Sequence, residues 1–118
     1  MAHVLLRNVD SFKVIAQRST QSAALRVIRL YLTAVSGNPL ERVDMVFEPA
    51  PHERGRMEPT FAVLNLPLED YKDCCHLLQT ESPIFVSVIT DAAGRVIAGS
   101  LSTDPESPGE GFEDVDSP

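Results

Sequence analysis

The residues best suited to acid–base or anion-binding chemistry lie close together in one proline-rich segment, residues 49–59. His52 could exchange a proton near neutral pH, with the neighbouring Glu53 orienting its imidazole ring. Arg54 and Arg56 carry guanidinium groups that can hold a carboxylate or a phosphate through two hydrogen bonds. Loops on rigid sheets often carry ligand-contacting residues, so these four residues form the predicted ligand-binding site.

The same segment also has a simpler interpretation as a solvated, charged connection between two strands. Neighbouring side chains on an extended chain point to opposite sides, so His52 and Glu53 would face different surroundings. The sequence therefore assigns no catalytic residue, and it leaves both interpretations of residues 49–59 open.

Cys74, Cys75 and His76 are adjacent, a pattern that invites comparison with metal and thiol sites. Neighbouring residues on a helix diverge by about 100°, so these three side chains cannot converge on one ion. The sequence has no Cys-x-x-Cys or His-x-x-x-His pair to complete a tetrahedral site. Acidic residues within 69–73 also oppose formation of a thiolate. We therefore predict buried structural cysteines and no metal site.

The chain of 118 residues suits one domain, and 43% apolar residues are enough for a core without disulfide bonds. There is no glycine-rich phosphate loop and no G-x-S-x-G motif, so the sequence predicts no cofactor. Runs of about 20 apolar residues are absent, the N-terminus lacks a signal-peptide pattern, and adjacent cysteines are poorly placed for a disulfide. We therefore expect a cytoplasmic protein with no membrane contact.

The net charge of −7 is concentrated in residues 103–118, which hold six acidic residues and no Lys or Arg. This segment is rich in Pro, Gly and Ser and has too few apolar residues to offset the entropy of ordering it. A disordered acidic tail is therefore predicted after a single domain of residues 1–102. Phe112 and Val115 are candidate anchors on a partner or on the domain itself. The alternative is a solvating extension that only keeps the protein soluble.

Residues 1–40 contain five basic residues and a single acidic residue, Asp10. Phe12 and Tyr31 are the aromatic residues nearby. Nucleic-acid-binding domains usually have a pI above about 9, whereas the pI of this sequence is ≈ 4.8. Nucleic-acid binding through this basic half is therefore the third and least favoured function, and ordinary charges on strand faces explain the pattern better.

Residues 68–79 form the clearest predicted helix, preceded by Pro67 and followed by Pro83, which prevents its continuation. At about 100° per residue, its apolar and its polar residues separate onto opposite faces. The predicted buried face consists of Leu68, Tyr71, Cys74, Cys75 and Leu78, and the predicted exposed face consists of Glu69, Lys72, Asp73 and His76.

Strands are predicted around this helix at residues 60–66, 84–90 and 95–101, where β-branched and aromatic residues dominate. Residues 91–94 are a connection of hairpin length. Residues 23–35 fit both helical and strand spacing, although their density of β-branched residues favours a strand. The predicted fold class is α+β: a mostly antiparallel sheet of five to seven strands with one amphipathic helix packed on it.

The last two predicted strands carry apolar residues on both faces, and one helix cannot cover a broad sheet. We therefore expect a second copy of the chain to cover them, and we predict a non-catalytic, homodimeric binding or interaction domain for a small-molecule or protein ligand. The alternative is a small enzyme or ligand carrier with an apolar pocket that uses His52 and Arg54 or Arg56. The two predictions differ in whether an enclosed cavity lies beside residues 49–59.

Overall fold

The computed structural model of the chain describes residues 3–17, 25–51 and 53–103, and these residues form mainly one curved β-sheet. The seven strands are β1 (His3–Gln17), β2 (Leu25–Leu32), β3 (Arg42–Glu48), β4 (Gly55–Met57), β5 (Phe61–Pro67), β6 (Phe85–Thr90) and β7 (Val96–Ser102). A 3-10 turn, Leu68–Asp70, leads from β5 into the helix α1, Tyr71–Thr80. The order of the strands across the sheet is β4-β5-β3-β2-β1-β6-β7.

The predicted α+β class, with a dominant sheet and one helix, is confirmed for the described residues. Their strands pair in antiparallel fashion, except that β3 and β5 are parallel. Residues 23–35, for which helix and strand were both considered, contain β2, whose β-branched residues suit a pleated sheet. The predicted helix at 68–79 begins as a 3-10 turn and ends one residue later, at Thr80.

The sheet curves so strongly that its two edge strands, β4 and β7, come close together. Arg54, which precedes β4, donates a hydrogen bond from Nη1 to the carbonyl oxygen of Ile97 in β7 at 3.0 Å. Gly99 in β7 leaves room for the side chain of Leu64 in β5, which would collide with a Cβ atom there. The described strands therefore form a nearly closed barrel, a closure that the sequence analysis did not predict.

The core lies inside this barrel because alternate side chains of each strand point inward. Ile28, Leu30 and Phe47 are fully buried there. The helix covers the core with the face predicted from its periodicity, since Leu78 is buried and its charged face is exposed. Tyr71 packs edge-on against Phe47, with ring centroids 5.3 Å apart. Burial of each large apolar side chain contributes about 2 kcal/mol, so this packing fixes the helix on the sheet.

The apolar residues of β6 and β7 need less external cover than their sequence suggests. Val86 and Val88 on the inner face are each 1% exposed, and Ile89 on the outer face is only 4% exposed. Val4 and Ala98 flank Ile89 on the neighbouring strands. Because the curved sheet covers these residues itself, they give no reason for a second copy to bind at β6 and β7.

Candidate functional site

The first candidate site is the open edge of β1, by which we mean residues 10–17. β6 pairs with β1 only from His3 to Asn8, whereas β2 pairs with its C-terminal part. No strand in the described part of the chain pairs with the other side of residues 10–17. An unpaired edge presents backbone N–H and C=O groups, so it is a template for pairing with another strand.

Two apolar side chains lie exposed at this open edge. Phe12 pairs with Leu30 and Val14 pairs with Ile28, so both point to the same side of the sheet as these fully buried residues. Phe12 is nevertheless 36% exposed and Val14 43% exposed. The apolar inner face of the barrel therefore continues onto the surface at the open edge.

The second candidate site is an apolar cavity of about 250 Å³ between α1 and the strands β5 and β7, which we call the helix cavity. It lies where the barrel is incomplete, because the short strand β4 pairs with β5 only at residues 62–64. Asp70 and Asp73, both exposed, lie at its rim. The other principal lining residues are Met45, Leu66, Cys74, Leu77, Gly99 and Leu101.

The thiol of Cys74 lines the helix cavity, whereas His76 is exposed on the opposite side of the helix. Burial, reinforced by the carboxylate of Asp70, raises the pKa of Cys74 to about 11. At neutral pH this thiol therefore stays protonated and is a weak nucleophile. Cys75 is half-buried beside it and packs against the core. Both cysteines pack against the core but are only partly buried, so the prediction of buried cysteines is met in part, and their structural role stays a prediction.

The raised pKa predicts slow alkylation of Cys74. Compared with an unstructured cysteine, its reaction with iodoacetamide at pH 8 should be roughly a hundredfold slower, because the pKa is about 11 rather than 9.0. Mass spectrometry of the Cys75→Ala variant isolates this reaction. The logarithm of the rate should rise steadily from pH 7 to pH 10, and a plateau near pH 9 would contradict the prediction.

The protonated thiol stabilises the fold below pH 9, and this stabilisation is lost as pH rises through about 11.

Of the four residues predicted to bind a ligand, the two arginines contact different partners. His52 lies outside the described residues, and Glu53 is exposed. Arg54 is engaged by a β7 carbonyl, whereas Arg56 forms an ion pair with Glu58 in which Nε and Oε1 are 3.3 Å apart. The described lining of the helix cavity includes neither arginine. Joint binding of one ligand by these residues stays a prediction.

Only some of the basic residues of the N-terminal half share a face of the sheet, since Lys13 of β1 is paired with Arg29 of β2. Arg7 is inside the barrel and only 4% exposed. Arg29 donates from Nε to Asp44 Oδ1 at 2.9 Å, and this hydrogen bond is the main cause of its raised pKa. The guanidinium carbon of Arg26 lies 5.1 Å from the ring centroid of Tyr71. Because Arg7 is buried and Arg29 is bonded to a carboxylate, these residues give no support to a continuous basic surface for nucleic acid.

Arg18 and the two candidate tail anchors, Phe112 and Val115, lie outside the described residues. Within the described ranges, no group of three or more His, Cys, Asp or Glu side chains is placed to hold a metal ion. Among these residues, neither the length nor the hydropathy of any helix suffices to span a membrane.

No family model, curated protein or solved structure matches the chain. The function must therefore be inferred from the open edge and the helix cavity.

The sequence analysis predicted neither the open edge nor the helix cavity. Two glycines in the sequence do, however, indicate that the barrel closes. Gly55 and Gly99 lie within strands, where glycine is typical of a close approach by another segment. No comparable sequence pattern indicates the helix cavity, because its walls come from four elements that are distant in the sequence, namely β3, β5, α1 and β7. Only the folded chain brings these elements together.

Proposed function

We propose that this chain is a non-catalytic binding domain that acts as a homodimer, joined through the open edge of β1. The observation that carries this proposal is the unpaired edge at residues 10–17, with Phe12 and Val14 exposed beside it. Antiparallel pairing of two such edges continues the sheet from one copy into the other. Each copy then supplies backbone partners and apolar cover to its counterpart.

The charges on the open edge favour a second copy as the partner. Asp10 and Lys13 are both exposed and carry opposite charges. A two-fold axis reverses the strand direction, so Asp10 of one copy can approach Lys13 of the other. A strongly acidic or strongly basic partner would gain from only one of these two charges. Self-association therefore uses the edge more completely.

We expect sedimentation at tens of micromolar to show a species of about twice the 12.9 kDa chain mass. The Val14→Lys variant should weaken this association about tenfold or more, because it replaces apolar cover at the interface with a positive charge. Val35→Lys is the matched control, since Val35 is 49% exposed and lies in the turn after β2. Its dimerisation should equal that of the wild type.

Two results would overturn this proposal. One is a wild-type chain that stays monomeric at every concentration tested. The other is an equal effect of Val14→Lys and Val35→Lys on association, which would show that the open edge is not the interface. Circular dichroism of both variants verifies that each is folded, as expected for substitutions of exposed side chains.

A second candidate function is the carriage of a small apolar ligand, and the helix cavity supports it. The cavity resembles the predicted apolar pocket in its lining but differs from it in place, since it lies between α1 and β7. We therefore propose this carrier function without a role for His52, Arg54 or Arg56. It requires no dimer, so the two candidates can be tested separately.

A further inference from the structure

The helix cavity has the size and lining of a site for a small apolar molecule. Its volume of about 250 Å³ is below the range of roughly 300 Å³ and more that is usual for drug-sized ligands. Met45, Leu66 and Leu77 supply apolar side chains to its walls, and Gly99 contributes only backbone. A ligand with a short alkyl or aryl body matches this space.

The rim of the helix cavity is negatively charged. Asp70 ends the 3-10 turn and Asp73 lies in the first turn of α1, so the two carboxylates are three residues apart on one side of the helix. Both side chains are exposed. Among the described residues, neither forms an ion pair with Lys or Arg. Their charge is therefore available to a ligand.

The effect of these carboxylates extends to the cavity wall. Burial is the main cause of the raised pKa of Cys74, and the negative charges of Asp70 and Asp73 raise it further. A field that opposes a negative charge on the Cys74 sulfur favours a positive charge in the same space. The cavity therefore combines apolar walls, which disfavour any charge, with a rim whose carboxylates favour a cation.

We infer that the helix cavity binds a small apolar molecule that ends in a protonated amine. The apolar body contacts Met45, Leu66 and Leu77, and the ammonium group lies at the rim near Asp70 and Asp73. This inference rests on the second candidate function and names the chemical class of its ligand. It is independent of the dimer at the open edge.

Three probes of equal length test the preference for a cation: hexan-1-amine, hexan-1-ol and hexanoate. Each is titrated into the full chain at neutral pH and followed by the chemical shifts of the backbone amides. The amine should bind about tenfold more tightly than the alcohol, because two partly exposed charge pairs together account for a factor of this size. Hexanoate should bind most weakly, and added salt should reduce the advantage of the amine.

The double variant Asp70→Asn/Asp73→Asn tests the rim. It should bring the affinities for amine and alcohol within about twofold of each other, since exposed ion pairs are then absent and the apolar walls are unchanged. Glu69→Gln is the matched control. Glu69 is exposed in the same 3-10 turn but does not line the helix cavity, so the tenfold preference should persist.

Cys74→Met tests the location of the site, because the longer side chain fills part of the helix cavity. All three probes should lose affinity for this variant. Lys72→Met, on the exposed face of the same helix, is its matched control and should bind the three probes as the wild type does.

If no probe binds the wild type, both the inference and the carrier function are wrong. If all three bind equally, the carrier function stands and the inferred preference for a cation is overturned.

Discussion

Replacing Gly55 with alanine should destabilise the fold by about 4 kcal/mol, near the upper end of single-substitution effects. The φ angle of Gly55 is +148°, a conformation that side chains rarely adopt. A Cβ atom there would lie 2.1 Å from the carbonyl oxygen of Val63 and 3.1 Å from Cγ1 of Val96. Because the first neighbour is backbone within the sheet, relief of the collision requires β4 to move away from β5. Equilibrium unfolding in urea measures the loss.

Gly94→Ala is the matched control for this prediction. Gly94 also has a positive φ angle, +82°, but a Cβ atom there would meet nothing within 4 Å. Its substitution should cost only the conformational strain, about 1–2 kcal/mol. The difference between the two variants therefore isolates the contact of β4 with β5. Equal losses of stability in Gly55→Ala and Gly94→Ala would show that this contact is not tight.

Local sequence patterns are sufficient to predict most of the individual elements of this fold. The helix was predictable because its apolar residues recur on one face, and that face packs on the core around Leu78. The strand β2 was predictable because β-branched residues outweighed an ambiguous periodicity. Both predictions depend on residues close together in the sequence, where side-chain spacing and conformational preference act directly.

The closure of the sheet could not be predicted in the same way. It depends on the parallel pairing of β3 with β5 and on the approach of β4 to β7, both of which join distant segments. A strand of three residues such as β4 has too few side chains for a recognisable alternation. The curvature also explains why the inward-facing residues Val86 and Val88 of β6 are covered without a partner.

The candidate site was harder to predict than the elements that form it. Arg54 and Arg56 are close in sequence, but one contacts β7 and the other Glu58, because local chain geometry decides their partners. From the sequence, Asp70 and Asp73 are predicted to oppose a thiolate, and Asp73 to lie on the exposed face of the helix, but neither is predicted to line a cavity. Their position at the rim of the helix cavity depends on how α1 lies across β5 and β7.

Arg7 shows how a charged residue on a strand can become part of the core. It lies on the inner side of β1 between Leu5 and Val9 and is only 4% exposed. Its Nη1 donates to the carbonyl oxygen of Leu40 at 3.0 Å, and its Nη2 donates to the carbonyl oxygen of Thr33. Burial lowers the pKa of Arg7. These bonds hold the segment at residues 33–40 against the end of the barrel.

Arg7→Ala should destabilise the fold by about 4 kcal/mol. The substitution leaves a cavity among buried side chains and removes two hydrogen bonds from a charged donor, each worth about 1.5–3 kcal/mol. Removal of a buried charge offsets part of this loss, because Arg7 contacts no carboxylate among the described residues. Since the Leu40 backbone is held in a buried position, its carbonyl cannot simply exchange the lost donor for water.

Two further variants separate the volume of Arg7 from the contribution of its hydrogen-bonded, charged guanidinium group. Arg7→Met keeps most of the volume and should cost about 2 kcal/mol, because the carbonyl groups of Thr33 and Leu40 lose their donors. Arg95→Ala is the control for loss of an arginine: its side chain is 79% exposed and pairs with Asp91, so its removal should cost under about 1 kcal/mol. Urea unfolding compares the three variants. If Arg7→Met were as stable as the wild type, the two hydrogen bonds would only balance the cost of burying the charge, and the net contribution of Arg7 to the core would come from its volume.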